Sequence, residues 1–528
     1  MVKPVAAPLH ESAGEKDFPA DQLILLLGAA PALTAGLHAA MTGREYRVRQ
    51  IVPGKQARAL GNNRFEADFS SIDSLKALRG LLTGSGETVG AVLNLTGLAE
   101  VTADSQDNHM DDARQLYMVL KVFEKDLKES IRNGGGWLIN FTALDGHFGL
   151  RNVRAFPVGT AGTLGVAKSA AREWPGLRVK CIDIDTEMDP DMLIAQVWEE
   201  LRSDDPLLEV GLTRKGRWRL DLTEDVGVTS DPSKPELDSD SVLLVTGGAY
   251  GITAEITKAL AERCRPRIIL AGRSSFPEAE PEATRNLRDP HRLRRMLIRN
   301  LRATNPQVTP VDVERVVKRV LKDRRIRANL TAMEAAGARV EYHALDVRKS
   351  EAFGELIDEV YTRWGRIDGV LHGAGVIDDK LIRDKSPESF DTVFTTKVIP
   401  AKVLASKLRP DMLKFMVFFS SVAARFGNVG QSDYSAANEV MNKLADRLSH
   451  EWPHVRVVSI NWGPWDSGMV SDGLRRLYAQ KRIHLVPPHV GVRLGVEEVR
   501  RGKVNAPEVV IASSIKRISE QGLGGSQL

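Results

Sequence analysis

Two stretches of this chain say nearly the same thing: AREWPGLRVKCIDID begins at Ala171 and SHEWPHVRVVSINWG at Ser449, 278 residues later. With that offset held fixed, Glu173, Trp174, Pro175, Arg178, Val179 and Ile182 meet Glu451, Trp452, Pro453, Arg456, Val457 and Ile460. Moving upstream, Phe148 and Gly149 meet Phe426 and Gly427, Gly97 meets Gly375, Val92 and Leu93 meet Val370 and Leu371, and Asp68 meets Asp346. A register that holds without a gap over more than a hundred residues requires two copies of one unit, at about 21–222 and 240–514. Further upstream LLLGAA at 25–30 aligns with LLVTGG at 243–248, an offset of 218, so the second copy carries about 60 extra residues near 276–335.

Within each copy, apolar runs such as LILLLG, AVLNLTG, WLINFTA, VLLVTGG, RIILAG, GVLHGAG and FMVFFSS alternate with amphipathic helical runs. Continuous apolar strands separated by helices belong to parallel sheets covered on both faces, so each copy is expected to be a doubly wound, Rossmann-like α/β unit. A length of 528 residues accommodates two such domains. Polar, Pro-rich or acid-rich stretches at about 1–20, 223–240 and 515–528 read as linkers or tails. With 42% hydrophobic and 27% charged residues and a formal charge of +4, the composition is that of a soluble globular protein. Only Cys181 and Cys264 occur, too few for a disulfide framework and without metal-ligand spacing, which implies a reducing, cytoplasmic setting and no metal. No apolar leader segment and no run of about 18 apolar residues is present, so no membrane association is expected.

Residues 242–255, VLLVTGGAYGITAE, pass from a buried strand through Gly247, Gly248 and Gly251 into a helix. At such a turn the backbone approaches a pyrophosphate closely and the helix N-terminus offers it free N–H groups. Thr246, Tyr250 and Ile252 belong to this loop. Thr253 stands where the common TGxxxGxG pattern has its last glycine. The next strand, RIILAG, ends in Gly272, Arg273 and Ser274, where a carboxylate would grip the ribose hydroxyls of NAD. A guanidinium there suits the 2′-phosphate of NADP, so the expected cofactor is NADPH. ALDV sets Asp346 and Val347 at a strand end beside the adenine, and LHGAGV sets Gly373, Ala374 and Gly375 beside the cofactor ribose, with His372 as packed structure rather than a ligand.

The segment FSSVAARFGNVGQSDYSAANEVM holds Ser421, Tyr434 and Asn438, the last two four residues apart and so on one helix face. Reduction of a ketone needs a hydride on carbon and a proton on oxygen from an acid held against the carbonyl. A phenol serves if a nearby cation stabilises the phenolate, and Lys397 in FTTKVIPAKVL is the candidate cation.

These residues resemble the short-chain dehydrogenase/reductase superfamily and, within it, the ketoreductase domains of modular polyketide synthases and polyunsaturated fatty acid synthases. Most short-chain reductases place Lys four residues after Tyr. The polyketide ketoreductases place Asn there and Lys on the earlier helix, the arrangement of Asn438 and Lys397 here. The resemblance implies that Tyr434 is the proton donor, Ser421 hydrogen-bonds the substrate carbonyl, Lys397 lowers the Tyr pKa and holds the nicotinamide ribose, and Asn438 orders Lys397 or a water. NWGPWDSGM, with Pro464 and Trp465, is similar to the segment that shapes the substrate side of the nicotinamide.

The resemblance also covers the duplication, because these ketoreductases carry a structural Rossmann-like subdomain followed by a catalytic one. At the 278 offset Tyr434, Ser421, Asn438 and Lys397 fall on Phe156, Ala143, Thr160 and Val119, so the first copy is expected to be catalytically silent. EVGLTRKGRWRLDL resembles the hairpin that joins the two subdomains. B-type ketoreductases carry LDD after the HGAG-like turn, whereas A types carry Trp eight residues before the Tyr. Here Ile377, Asp378 and Asp379 follow the turn and Phe426 stands eight before Tyr434, which implies a (3R) hydroxyl. The expected substrate is a β-ketoacyl chain on an acyl carrier protein, with other megasynthase domains as further partners. A reductase of free carbonyl metabolites and a non-catalytic scaffold module are the alternatives.

The extra segment is strongly basic: Arg285 to Arg327 holds 14 Lys and Arg against Asp289, Asp312, Glu314 and Asp323, a net of +10. TPVDVERVVKRVLKDRRIRANL reads as a helix with Thr309 as N-cap, Pro310 in the first turn and an apolar stripe through Val313, Val316, Val317, Val320 and Leu321. One reading is a solvated helical hairpin on the sheet edge; another is a docking surface for an acidic carrier protein, with Arg294, Arg295 and Arg299 in it. Nucleic acid is disfavoured, since no aromatic residue for base stacking lies in the segment.

Overall fold

The apolar runs become two sheets in which the same seven-strand order is built twice. In the C-terminal half, Val242–Thr246 lies at the centre. On one side of it lie Arg267–Gly272 and then Arg339–Ala344; on the other lie Gly369–His372, Phe415–Ser421, Arg456–Trp462 and Glu508–Ile511. All six pairings are parallel. The N-terminal half repeats this order around Leu23–Leu27. Arg47–Pro53 and Arg64–Ala67 lie to one side, and Val89–Asn94, Trp137–Thr142, Arg178–Ile184 and Glu209–Thr213 to the other. The computed structural model describes residues 1–9, 14–28, 31–84, 86–98, 108–151, 156–224, 237–275, 280–467, 470, 472–500 and 506–521.

Strand pairing refines the register. Ile24 faces Ala91 as Leu243 faces Gly369, and the 278 offset relates Ala91 to Gly369. Leu23–Leu27 therefore matches its counterpart at an offset of 219 rather than 218. Gly28 falls on Gly247, both at positive φ, and each packs against the strand-end turn that follows the next strand, Leu95–Thr96 in one copy and Gly373–Ala374 in the other. A slip of one residue reverses every side chain of a strand between sheet faces, so this pairing decides the register. The tail-like N-terminus also differs from expectation. Val2–Ala6 pairs antiparallel with Gly216–Leu222, which itself forms the expected hairpin with Glu209–Thr213. Much of the acid-rich 223–240 stretch lies outside the described residues. At the other end, Ile515–Gln521 is a helix.

The two halves meet through equivalent helices. Ala161–Glu173 crosses Ser432–Glu451 with Gly165 against the Ser435 and Ala436 backbone, too close for any Cβ. Alongside, Tyr117 on Asp112–Arg132 stacks on Phe390 of Pro387–Lys407 at 4.8 Å and 18°. One continuous apolar core runs through both halves here, from Leu116, Phe123 and Leu164 to Phe394, Val440 and Leu444. A buried charge network lies beside it. Lys168 reaches Glu209 at 3.0 Å and Glu439 at 3.5 Å, Arg425 also pairs with Glu209, and Lys443 reaches Asp446 at 3.0 Å and Glu508 at 3.1 Å. Four carboxylates face three cations, and burial lifts Asp446 to about 7, so this group retains a proton readily.

The basic segment is a helical hairpin. Pro290–Thr304 packs on the first half of Pro310–Ala335 through Leu293, Leu297, Val313 and Val317, a small core of its own. Thr309 caps the long helix in a capping box with Asp312. The second half of that helix belongs to the main core, where Ile326, Leu330 and Met333 meet Ile256 and Leu260. The inserted part thus ends earlier than 335, inside a helix that continues as an ordinary crossover helix. Among the described residues no helix is long and apolar enough to cross a membrane, and no group of His, Cys, Asp and Glu is arranged to hold a metal ion.

Candidate active site

In an open parallel sheet the chain leaves a crevice at the carboxyl ends of two neighbouring strands whose connections run to opposite sides. Here those strands are Val242–Thr246 and Gly369–His372, and Gly247, Gly373 and Gly375 follow directly from their ends. Gly247 and Gly251 hold positive φ, and a Cβ on Gly247 would come within 2.9 Å of Ala374 backbone. The helix Gly251–Cys264 starts after Tyr250 with no side-chain cap, so its first amides face the loop unclaimed by a side chain. Thr253 explains its own departure from the glycine pattern. Its buried side chain fills the space over Gly373, where any Cβ would collide with it, so one bulk serves two positions.

Behind the loop, His372 ties cofactor side to catalytic side. Its Nδ1 lies 2.7 Å from Thr246 Oγ1 and its Nε2 lies 2.9 Å from the Lys397 carbonyl. Burial and the neighbouring Lys397 push the ring down to about 3, so it is neutral. A carbonyl only accepts, which fixes the proton on Nε2 and makes Nδ1 the acceptor for Thr246. The expectation that His372 is packed structure holds, with a duty the residue pattern does not reveal: it anchors the backbone of the helix that carries Lys397.

Lys397 is buried, donates to the Phe419 carbonyl at 2.6 Å, and stands with Nζ 5.8 Å from the centre of the Tyr434 ring. Burial draws its ammonium down to about 7. Gly375 leaves it room, since a Cβ there would lie 3.0 Å from Lys397 Cε. Tyr434 and Asn438 share a face of Ser432–Glu451, and Ser421 ends the strand Phe415–Ser421 and caps the next helix through Ala423 N at 3.2 Å. Burial pushes the Tyr434 phenol up to about 12, with hydrogen bonding from Asn438 and Ser421 acting the other way. The Asn438 amide nitrogen donates to the Tyr434 carbonyl at 2.7 Å, and its Oδ1 is buried without a partner among the described residues. All four predicted catalytic residues are thus within one cluster.

At the mouth, Asp379 accepts from Gln431 Nε2 at 3.0 and 3.2 Å, while Asp378 is held by Lys380 and Ser389. Gln431 had no signal of its own beyond standing three residues before Tyr434. Glu173, from the N-terminal half, accepts from Ile382 N at 2.6 Å and Gly430 N at 3.3 Å, and so spans the loops on either side of Asp379 and Gln431. Its part was visible in sequence only as a repeat position.

The cofactor-side expectations divide. Arg273 is exposed at the strand end, and Ser274 is held there by Tyr342, whose hydroxyl donates to its carbonyl at 2.7 Å. Asp346 is engaged by Arg348 at 2.7 to 3.1 Å, which holds its carboxyl below the usual range; the Val347 side chain is buried, leaving its backbone for a ligand. Ile252 is partly buried beside Tyr250. The Trp465 side chain is buried. It packs edge-on to Trp462 at 5.1 Å and over Gly491, while the Pro464 carbonyl accepts from Val486 N at 2.8 Å.

In the N-terminal half the equivalent positions carry no reactive group. Phe156 is buried against Gly149, Val119 is buried, and the Thr160 hydroxyl donates to the Pro157 carbonyl at 3.0 Å.

Residues 241–467 match the KR domain family model. The chain is 32% identical over 393 residues to a polyunsaturated fatty acid synthase polypeptide from a Thraustochytrium species, a match spanning 71% of this chain and 14% of that protein. It is 28% identical over 321 residues to polyketide synthase PksN of Bacillus subtilis, spanning 59% of this chain and 5% of that one. The chain therefore spans only a small part of the length of these relatives. Among solved structures, the N-terminal ketoreductase from a macrolactin assembly line superimposes with a TM-score of 0.72 at 20% identity, covering 98% of this chain and 93% of that one. A ketoreductase domain from the bacillaene assembly line gives 0.66 at 20% identity, covering 99% and 98%. The C-terminal half of this chain belongs to the ketoreductase (KR) domain family of polyketide and polyunsaturated fatty acid synthases, and the chain as a whole has the two-part ketoreductase fold.

Proposed function

We propose that the protein is an NADPH-dependent reductase of β-ketoacyl thioesters borne on an acyl carrier protein, and that it forms the (3R)-hydroxyacyl product. The carrying observation is the juxtaposition of Lys397 Nζ, 5.8 Å from the Tyr434 ring centre, with Ser421 and Asn438 near enough to the same phenol to oppose the rise in its pKa. The crevice fits the cofactor: a glycine cradle that excludes side chains at Gly247, an uncapped helix start after Tyr250, an exposed cation at Arg273, and room beside Lys397 at Gly375. When bound, NADPH supplies the hydride that the ketone carbon accepts.

The chain's own residues manage the proton. Ser421 donates a hydrogen bond to the substrate carbonyl and holds it against Tyr434. Tyr434, protonated at neutral pH because its pKa is near 12, transfers its phenolic proton to the carbonyl oxygen as negative charge develops there. The phenolate left behind is stabilised by the Lys397 ammonium, and this pairing makes the transfer feasible from so weak an acid. Asn438 carries a buried acceptor that can order a water linking Lys397 to solvent for reprotonation.

The pair Asp378 and Asp379 in the loop after Gly375, with Phe426 rather than Trp eight residues before Tyr434, supports the B-type assignment. The exposed Arg295 and Arg299 on the basic hairpin support carrier docking by charge complementarity; Arg294 is already engaged by Glu314. The test is NADPH oxidation with a carrier-bound β-ketoacyl chain and chiral analysis of the alcohol. Turnover lost in Tyr434→Phe with NADPH binding retained is expected. Turnover unaffected by that change, or an L alcohol, overturns the corresponding part.

A further inference from the structure

The hairpin's long helix continues past its own small core and runs alongside the cofactor loop. There Arg325 projects over Tyr250: its guanidinium carbon stands 5.8 Å from the ring centre and Nη1 lies 3.5 Å from the phenolic oxygen. Four residues on, Asn329 donates to the Ala249 carbonyl at 3.0 Å, which fixes this face of the helix to the loop itself. The same turn also reaches the Arg273 side. Burial, with Asp323 nearby, raises the Tyr342 phenol, and that hydroxyl donates to the Ser274 carbonyl at 2.7 Å. The helix therefore touches the loop at Tyr250 and Ala249 and runs beside the strand whose Tyr342 holds Ser274, next to Arg273.

The neighbouring cations are otherwise engaged. Arg324 binds Glu280 at 2.7 and 2.9 Å, and Arg327 joins it at 3.5 Å. Arg325 turns toward Tyr250, is exposed, and forms no ion pair with a carboxylate among the described residues. Arg273, at the end of the next strand, is exposed and likewise without an ion pair among the described residues, though it stands near enough to Asp346 to help lower that carboxyl. Arg325 beside Tyr250 and Arg273 at the end of the next strand each suit a phosphomonoester dianion, because a guanidinium offers planar paired donors and a charge that is never lost.

Resting on the NADPH reading above, we infer that Arg325 is a second specificity residue for the 2′-phosphate of the dinucleotide, so that part of the inserted hairpin completes the cofactor site. The ring of Tyr250 holds the guanidinium in place, and Arg273 meets the same phosphate from the other side.

The experiment is a fluorescence titration of NADPH and of NADH against the full chain, Arg325→Ala and Arg273→Ala, with circular dichroism to verify folding. Arg325→Ala is expected to weaken NADPH by about tenfold and NADH by less than about twofold, the loss of one charge-assisted contact. Arg325→Lys, which keeps charge without the fork, is expected to fall between. If the unaltered chain binds NADH as well as NADPH, the cofactor reading itself fails. If it prefers NADPH and Arg325→Ala keeps that preference in full while Arg273→Ala loses it, the cofactor reading stands and this inference falls. Equal weakening of both dinucleotides by Arg325→Ala also overturns it, since the guanidinium would then serve a group common to both.

Discussion

Gly165 is the point where the silent half bears on the chemistry. A Cβ there would stand well inside 3.0 Å of three backbone atoms, the Ser435 carbon and oxygen and the Ala436 nitrogen, with no flexible side chain to give way. Since nonbonded heavy atoms settle at roughly 3.5–4.0 Å, Gly165→Ala forces the two crossing helices about 1 Å apart. The overpacking costs about 1–3 kcal/mol of stability. Ser435 directly follows Tyr434, whereas Lys397 rides on a different helix, anchored by His372 and the Phe419 carbonyl. The shift therefore changes the distance between acid and cation, and a misplacement of about 1 Å costs on the order of a hundredfold in kcat. The Gly247 cradle lies on another strand, so NADPH affinity is expected to stay within about twofold, a kcat loss without a binding loss. Steady-state kinetics on a β-ketoacyl thioester, with NADPH fluorescence and a thermal melt on the same samples, read all three quantities. A melt lowered as expected with kcat unchanged would refute the claim that the N-terminal half sets the position of Tyr434.

Other outcomes follow from the same geometry. Because Lys397 is drawn down to about 7 and the reduction needs its positive form, kcat/KM is expected to be level at lower pH and to fall as pH rises through about 7; Lys397→Met should lower the plateau and flatten that limb. Asp446 has a folded pKa raised to about 7 from 3.8, so the folded state binds its proton more tightly and the chain loses stability as pH rises between those values. Asp446→Asn, which leaves three buried carboxylates for three cations, is expected to raise the melting midpoint at pH 8 and leave it nearly unchanged at pH 5; an equal drop at both would count against it. Lys168→Met leaves Glu209 and Glu439 short of a buried partner and is expected to cost about 3–5 kcal/mol, measurable by denaturant titration. Glu173→Gln loses one of two backbone N–H acceptors and is expected to raise KM more than it lowers kcat, because the loops holding Asp379 and Gln431 loosen while Tyr434 and Lys397 stay in place.

The sequence carried the duplication, the parallel-sheet class and the grouping of Tyr434, Ser421, Asn438 and Lys397, because these follow from spacing along one chain: Tyr434 and Asn438 four apart, and a fixed offset that sets Phe156 opposite Tyr434. For the first strand the sequence alignment gives 218 and the structure 219, because the LLL and LLV runs align equally well either way. Cross-strand pairing of Gly28 and Gly247 with their neighbours resolves it. Val2–Ala6 read as tail because a short edge strand with a proline has no periodic signal, and only its partner Gly216–Leu222 gives it a place. The packing of Trp465 against Trp462 and Gly491 joins residues 3 and 26 positions away, and the latter contact has no local signal. Arg325, His372 and Glu173 act across 75, 25 and more than 200 residues, distances at which no local pattern speaks.

The crossing of Ala161–Glu173 with Ser432–Glu451 has the form of a two-fold dimer contact made within a single polypeptide. Because both partners share one chain, each meets the other at an effective concentration that dilution cannot lower, so this contact has no dissociation constant to protect. Freed from having to match a copy of itself, each side can drift separately. One could surrender its reactive groups while the other kept them, and every molecule would still hold one complete crevice.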